Sequence, residues 1–182
     1  MVEISKYHTV FFTSQHKDNK DLEGFKPRSK SFLSDKTVED LTDEFSKFVD
    51  EGVIGETSCF YISVNTSNIE KSNRALIHYL IDHPHAKPHQ ITQKLVNYAS
   101  LKENRESHKW LLDVDNPDDL DDILEALKEF LKEEEMKVYK TVNGYHVVTD
   151  RGFYSDKILA KFPEVKIKKN ASRLIYTDKK DE

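Results

Sequence analysis

Lys109-Trp-Leu-Leu-Asp-Val-Asp115, running straight into Asn116-Pro-Asp-Asp-Leu120, is the stretch on which the fold of this chain turns. A strand sends alternate side chains to one face, so Asp113 and Asp115 point one way while Leu112 and Val114 point into the opposite layer. Asn116 is a good helix cap, Pro117 suits the first helical position, and Asp118 and Asp119 suit the positive end of a helix dipole. Leu120, Ile123, Leu124, Leu127, Phe130 and Leu131 then recur at helical spacing. The stretch therefore predicts a strand that leads directly into a well-capped helix, with two carboxylates side by side near the junction.

Working outward, Lys132-Glu-Glu-Glu135 closes that helix and two short strands are expected over 136–141 and 144–149. Asn143-Gly144 between apolar runs is a hairpin signal, with glycine free to take a positive φ. A short helix over 154–161 stops before Pro163, and strands near 164–168 and 172–177 flank Lys169-Asn-Ala171. On the amino-terminal side, an initial strand around Lys6–Phe12 precedes a polar stretch, 13–36, centred on Lys26-Pro-Arg-Ser-Lys30 and read as a long loop. Thr37 caps a helix bearing Val38, Leu41, Phe45 and Phe48, which Gly52 and Gly55 end. Residues 58–64, rich in aromatic and β-branched types, predict a buried central strand. Helices over 69–82 and 89–101 follow, separated by His83-Pro-His85. The sum is one α+β domain over 1–182: a mostly antiparallel sheet covered by helices, with a helical and strand part at 1–105 and a motif-bearing core at 106–182.

The 182 residues suffice for one domain with its own core. One cysteine, Cys59, excludes an internal disulfide framework and an all-cysteine zinc site. Met1-Val-Glu-Ile-Ser-Lys6 lacks the apolar run of a signal peptide, and no apolar stretch approaches a bilayer span, so a cytoplasmic protein without a membrane partner is expected. A net charge of −5 argues against non-specific coating of nucleic acid, which depends on neutralising phosphates with Lys and Arg. That average hides an asymmetry. Residues 136–182 hold eleven Lys and Arg against six Asp and Glu, so the segment carrying His146 is basic and the remainder strongly acidic.

Paired carboxylates on one strand face suit a divalent cation, because Mg²⁺ takes hard oxygen ligands and commonly fills its other positions with water and substrate phosphates. An Asp-x-Asp pair also serves commonly as a solvated turn or cap. Here strongly apolar residues precede it, and a hairpin carrying His146 follows at a distance that lets its strands lie beside the first. Leu111-Leu-Asp-Val-Asp115, an intervening helix and Lys140-Thr-Val-Asn-Gly-Tyr-His-Val-Val148 together resemble the catalytic core of the archaeo-eukaryotic primase (primase-polymerase) superfamily. The resemblance spans about forty residues and implies a sheet like that of RNA-recognition motifs.

What the resemblance implies is a nucleotidyltransferase that uses nucleoside triphosphates on a nucleic-acid template or primer, in the company of replication proteins. Asp113 and Asp115 would hold Mg²⁺ or Mn²⁺. Thr141, Asn143, Gly144 and His146 would contact the triphosphate, with Lys140 or Arg151 adding positive charge. The family's further metal-binding acid has no clear counterpart: Asp178 is the first choice, Glu164 and Asp150 the others. The chain is also short for a complete core, so a minimal enzyme and an inactive module that binds a nucleotide or a replication partner are both open, as is a metal-dependent nuclease, which would not need His146. His83, His85 and His89 fall in an irregular linker and are read as exposed; Arg74 is read as a solvated helix residue; Tyr61, Tyr79, Tyr98 and Cys59 are read as core.

Overall fold

The computed structural model describes residues 6–141 and 143–181, so the reading of the first five residues, and the place of Val142 in the hairpin motif, lie outside it. The chain builds two four-stranded sheets, antiparallel at every strand pair. The α+β class and the antiparallel pairing are as expected, with the strands divided between two sheets.

The first sheet has the order β2-β1-β3-β8, from β1 (His8–Ser14), β2 (Arg28–Ser34), β3 (Thr57–Ser63) and β8 (Ser172–Lys179). Alternation sends Val10 and Phe12 of β1 and Phe60 and Ile62 of β3 to one face, where α1 (Val38–Asp50) lays Leu41, Phe45, Phe48 and Val49 upon them. Phe12 is the hub: its ring centroid lies 5.1–5.8 Å from those of Phe32, Phe45, Phe48 and Phe60. Tilted and edge-on aromatic pairs at such distances add to the stabilisation from burying the rings. Helix α1 starts where Thr37 and Asp40 form a reciprocal capping box. The strand β2 lies inside the stretch read as loop. Its Arg-Ser-Lys-Ser start carries little apolar signal because it is an edge strand, where charge and polarity are tolerated and discourage further pairing. Two helices, α2 (Ile69–Asp82) and α3 (Pro88–Ala99), pack on each other, α3 also contacting β2.

The second sheet has the order β5-β6-β4-β7 and is built from one continuous run: β4 (Trp110–Val114), α4 (Leu120–Leu127), β5 (Met136–Lys140), β6 (Tyr145–Thr149), α5 (Ser155–Lys161) and β7 (Lys166–Lys168). Each helix connects strands separated by one inserted strand, which is the doubled split βαβ arrangement of ferredoxin-like sheets. Leu112, Val114 and Val147 face the helices and close a core with Ile123, Leu127, Ile158 and Val165. The helix after Asp115 is shorter than its periodicity predicts. Residues 117–119 form a 3-10 turn, because the Asn116 side chain accepts from the Asp118 N–H, and α4 ends at Leu127.

After β7 the chain leaves this sheet, and β8 pairs with β3 of the first. The division at 105/106 is corrected for that strand: its eight residues belong to the amino-terminal sheet. The crossing places the face of the second sheet that bears no helix against β3 and β8, and the candidate site lies at this junction.

Candidate functional site

Strand alternation puts Asp113 on the face opposite Leu112 and Val114, and the register of β4 with β6 makes His146 its direct cross-strand partner. The imidazole Nε2 stands 3.4 Å from Asp113 Oδ1. On the other side of β4, the β7 residues Lys166 and Lys168 reach the two carboxylates diagonally. Lys168 Nζ donates to Asp113 Oδ2 at 2.7 Å and Lys166 Nζ to Asp115 Oδ2 at 2.8 Å. The His146 hydrogen bond, and then Lys168, hold the Asp113 carboxyl well below the usual carboxylate range against the opposing effect of its partial burial. Asp115 is more open to solvent, with 59% of its side chain exposed against 20% for Asp113.

Asp113, Asp115, His146 and Lys168 line a cleft of about 440 Å³, within the range of small-ligand sites, and Lys166 lies outside its lining. Its other wall comes from the first sheet: Cys59 and Tyr61 of β3 and Leu174 and Thr177 of β8, with Lys17 and Asp18 from the turn after β1. Burial pushes both the Tyr61 phenol and the Cys59 thiol upward, so these two side chains are neutral at ordinary pH, and the charge of this wall comes from Lys17 and Asp18. Tyr61 thus borders the cleft rather than filling a core, while Cys59 is buried as expected and also reaches the cleft wall. His146 is 9% exposed, and its Nδ1 is enclosed without a hydrogen-bond partner among the described residues. A buried polar atom left so is costly and uncommon.

Thr141, Asn143 and Gly144 form the turn between β5 and β6, and the first two line the cleft. The Thr141 N–H donates to the Gly144 carbonyl at 2.9 Å, and Thr141 Oγ1 accepts from the Gly144 N–H at 3.1 Å. Gly144 does not adopt a positive φ. It is required for another reason: a Cβ there would collide with the Val114 carbonyl oxygen and lie 3.3 Å from the Asp115 carbonyl carbon. The glycine lets the hairpin turn sit against the end of the strand that carries the aspartates.

Asp113, Asp115, Thr141, Asn143 and His146 are therefore brought together, and three other expected residues are not. Lys140 follows Tyr139, which is in register with His146, and alternation turns Lys140 to the helix side of the sheet. Arg151 lies past the far end of β6, where it donates to Glu135 at 2.7 Å and to the Phe130 carbonyl at 2.8 Å. Asp178 is one residue beyond Thr177 on β8, hence on the opposite face and outside the cleft lining. Of the alternatives, Asp150 pairs with Lys109 at 3.3 Å, and Glu164 does not line the cleft. Among the described residues no group of three or more His, Cys, Asp or Glu is placed to hold a metal ion. Lys166 and Lys168 escaped the sequence reading, yet Lys-Ile-Lys has the same two-residue period as Asp-Val-Asp. Complementary charge at matching period on two strands is a signal that they are neighbours.

Among the described residues no helix is long and apolar enough to cross a membrane. Compared with protein-family models, curated proteins and solved structures, the chain matches none.

Proposed function

We propose that this cleft binds a nucleoside triphosphate together with a divalent cation and transfers nucleotidyl groups to a nucleic-acid 3′-hydroxyl, in the manner of primase-polymerases. The observation that carries the reading is the convergence of Asp113, Asp115, His146 and the Thr141–Gly144 turn at one end of adjacent strands. The donor set fits the cation: Asp113 and Asp115 present hard anionic oxygens on one face, and a single Mg²⁺ or Mn²⁺ needs no more than one or two carboxylates when phosphates supply the rest. Such an ion, when bound, would polarise the phosphoryl oxygens and offset charge on the departing pyrophosphate.

The chain's own residues supply the remainder. Lys166 and Lys168 neutralise the two aspartates in the absence of other cations; with the carboxylates engaged elsewhere, the ammonium of Lys168, which lines the cleft, becomes free to meet triphosphate oxygens. His146 Nε2 is likewise released from Asp113 to donate to a phosphate oxygen. The Tyr61 and Cys59 side chains stay neutral, and on the same wall Lys17 stands beside Asp18. In an assay of labelled nucleotide incorporation on a primed template with Mn²⁺, Asp113→Ala and His146→Ala should each abolish synthesis while circular dichroism shows an intact fold. Robust synthesis by either folded variant overturns the proposal.

A second reading, a nucleotide-binding module without catalysis, is favoured by one feature: lysines, not a third carboxylate, stand beside the aspartates. It predicts that Mn²⁺-dependent triphosphate binding persists in a chain that incorporates nothing.

A further inference from the structure

A second cavity, of about 300 Å³, opens on the other side of β8. The cleft takes Ser172 and Leu174; this cavity takes the intervening Arg173, together with Ile62 of β3. Its floor is the same helix-free face of the second sheet, through Lys137, Tyr139 and Val148, and Tyr139 is in register with His146. Four Lys and Arg side chains line it, Lys36, Lys109, Lys137 and Arg173, and no Asp or Glu does. For a chain of net charge −5 that is a marked local excess.

Two of the four are already paired, Lys36 with Glu44 at 2.7 Å and Lys109 with Asp150 at 3.3 Å. Lys137 and Arg173 make no ion pair or hydrogen bond among the described residues. The Arg173 guanidinium is half-buried and lies 4.0 Å over the Tyr139 ring, which orients it without neutralising it. His8 registers the same excess. Its pKa is pulled down by burial and, against the opposing effect of its bond to the Ser63 carbonyl, by Lys109 and Arg173. The amino end of α1, at Thr37 and Val38, adds its positive end to the wall. A partly desolvated, preoriented guanidinium with no anion of its own is an incomplete pair, and its planar donor fork matches a phosphate.

We propose that this cavity holds phosphate groups of a single-stranded polynucleotide, gripped by Arg173 and Lys137 on the side of β8 away from the cleft. The inference rests on the nucleic-acid half of the preceding proposal and is independent of catalysis. Its test is the fluorescence anisotropy of a labelled oligothymidylate titrated with the full chain at several salt concentrations, using Arg173→Gln, Lys137→Gln and, as a control, Lys128→Gln on a distant helix end. Each of the first two substitutions should weaken binding about tenfold and reduce the salt slope by about one, and the control should change neither. Lys137 is exposed, so its variant keeps the test open should Arg173→Gln fold poorly.

Parallel calorimetry with Mn²⁺ and a nucleoside triphosphate reads the cleft separately and should be unaltered in both variants. Absence of oligonucleotide binding by the unmodified chain, or binding unchanged in both variants, overturns the strand site whatever the cleft does. Inorganic phosphate that competes at concentrations equal to those of oligonucleotide phosphate would also overturn it, in favour of a small-anion site. Absence of Mn²⁺-dependent triphosphate binding by the unmodified chain, with oligonucleotide binding intact, would sink the cleft proposal and leave this one standing.

Discussion

Lys168→Met separates the ammonium from its stem and asks whether the lysine competes with a cation for Asp113. Lys168 Nζ lies 2.7 Å from Asp113 Oδ2, a charge-assisted contact with the Asp113 side chain only 20% exposed but the Lys168 side chain 46% exposed. Hydrogen bonds to charged groups contribute about 1.5–3 kcal/mol when well shielded, and solvent screening of the exposed partner brings this pair to about 1 kcal/mol. Since about 1.4 kcal/mol corresponds to tenfold in affinity, Mn²⁺ should bind Lys168→Met about fivefold more tightly than the unmodified chain. Isothermal titration without nucleotide measures this directly. Lys166→Met should give a smaller gain, because both members of its pair with Asp115 are largely exposed. With nucleotide present the order should reverse: Lys168→Met should bind the Mn²⁺–triphosphate complex more weakly, having lost a cation that faces the phosphates. Equal or weaker Mn²⁺ binding by Lys168→Met in the absence of nucleotide would refute the idea that Lys168 and a metal ion contend for one carboxylate.

Two further outcomes follow from the same geometry. The Asp113 carboxyl is held below its ordinary range by His146 and then Lys168, so its contribution to stability is complete above the unfolded-state value of about 3.9 and is lost as pH falls through the lower folded-state value. Urea midpoints measured across the acid range should therefore decline more steeply for the unmodified chain than for Asp113→Asn; parallel curves would contradict the pairing. Gly144→Ala forces a Cβ against the Val114 carbonyl; overpacking of this kind costs about 3 kcal/mol, and at about 2–4 °C per kcal/mol for a chain of this size Tm should fall by about 6–12 °C. Gly24→Ala, where φ is +74° but no atom lies within 4 Å of the added Cβ, should cost less by thermal circular dichroism.

The second sheet was the most legible part of the fold. Its apolar alternation, the helical periodicity after Asp115 and the Asn143-Gly144 turn are local signals, and local signals suffice where consecutive elements pack on one another. The first sheet was read only in pieces. The strand β2 carries just Phe32 and Leu33 as apolar residues, so an edge strand passed for a loop. The pairing of β8 with β3 joins segments more than a hundred residues apart, and no periodicity within either segment encodes that choice. The site shows the same split. Asp113 and His146 were expected to meet because their strands are close in sequence and the register follows from the hairpin. Lys140 and Asp178 were misplaced by a single residue of alternation, and Arg151 by its attraction to Glu135, an acid the sequence offers no reason to prefer.

The central claim, that Asp113, Asp115 and His146 cradle a metal-bound triphosphate, is tested most directly by a crystal structure of the chain soaked with Mn²⁺ and a nucleoside triphosphate. An anomalous manganese peak should appear bound by the Asp113 and Asp115 carboxylates, with the phosphates beside His146 and both lysines withdrawn from the aspartates. Manganese bound elsewhere, or a triphosphate seated away from His146 at saturating concentration, would contradict it.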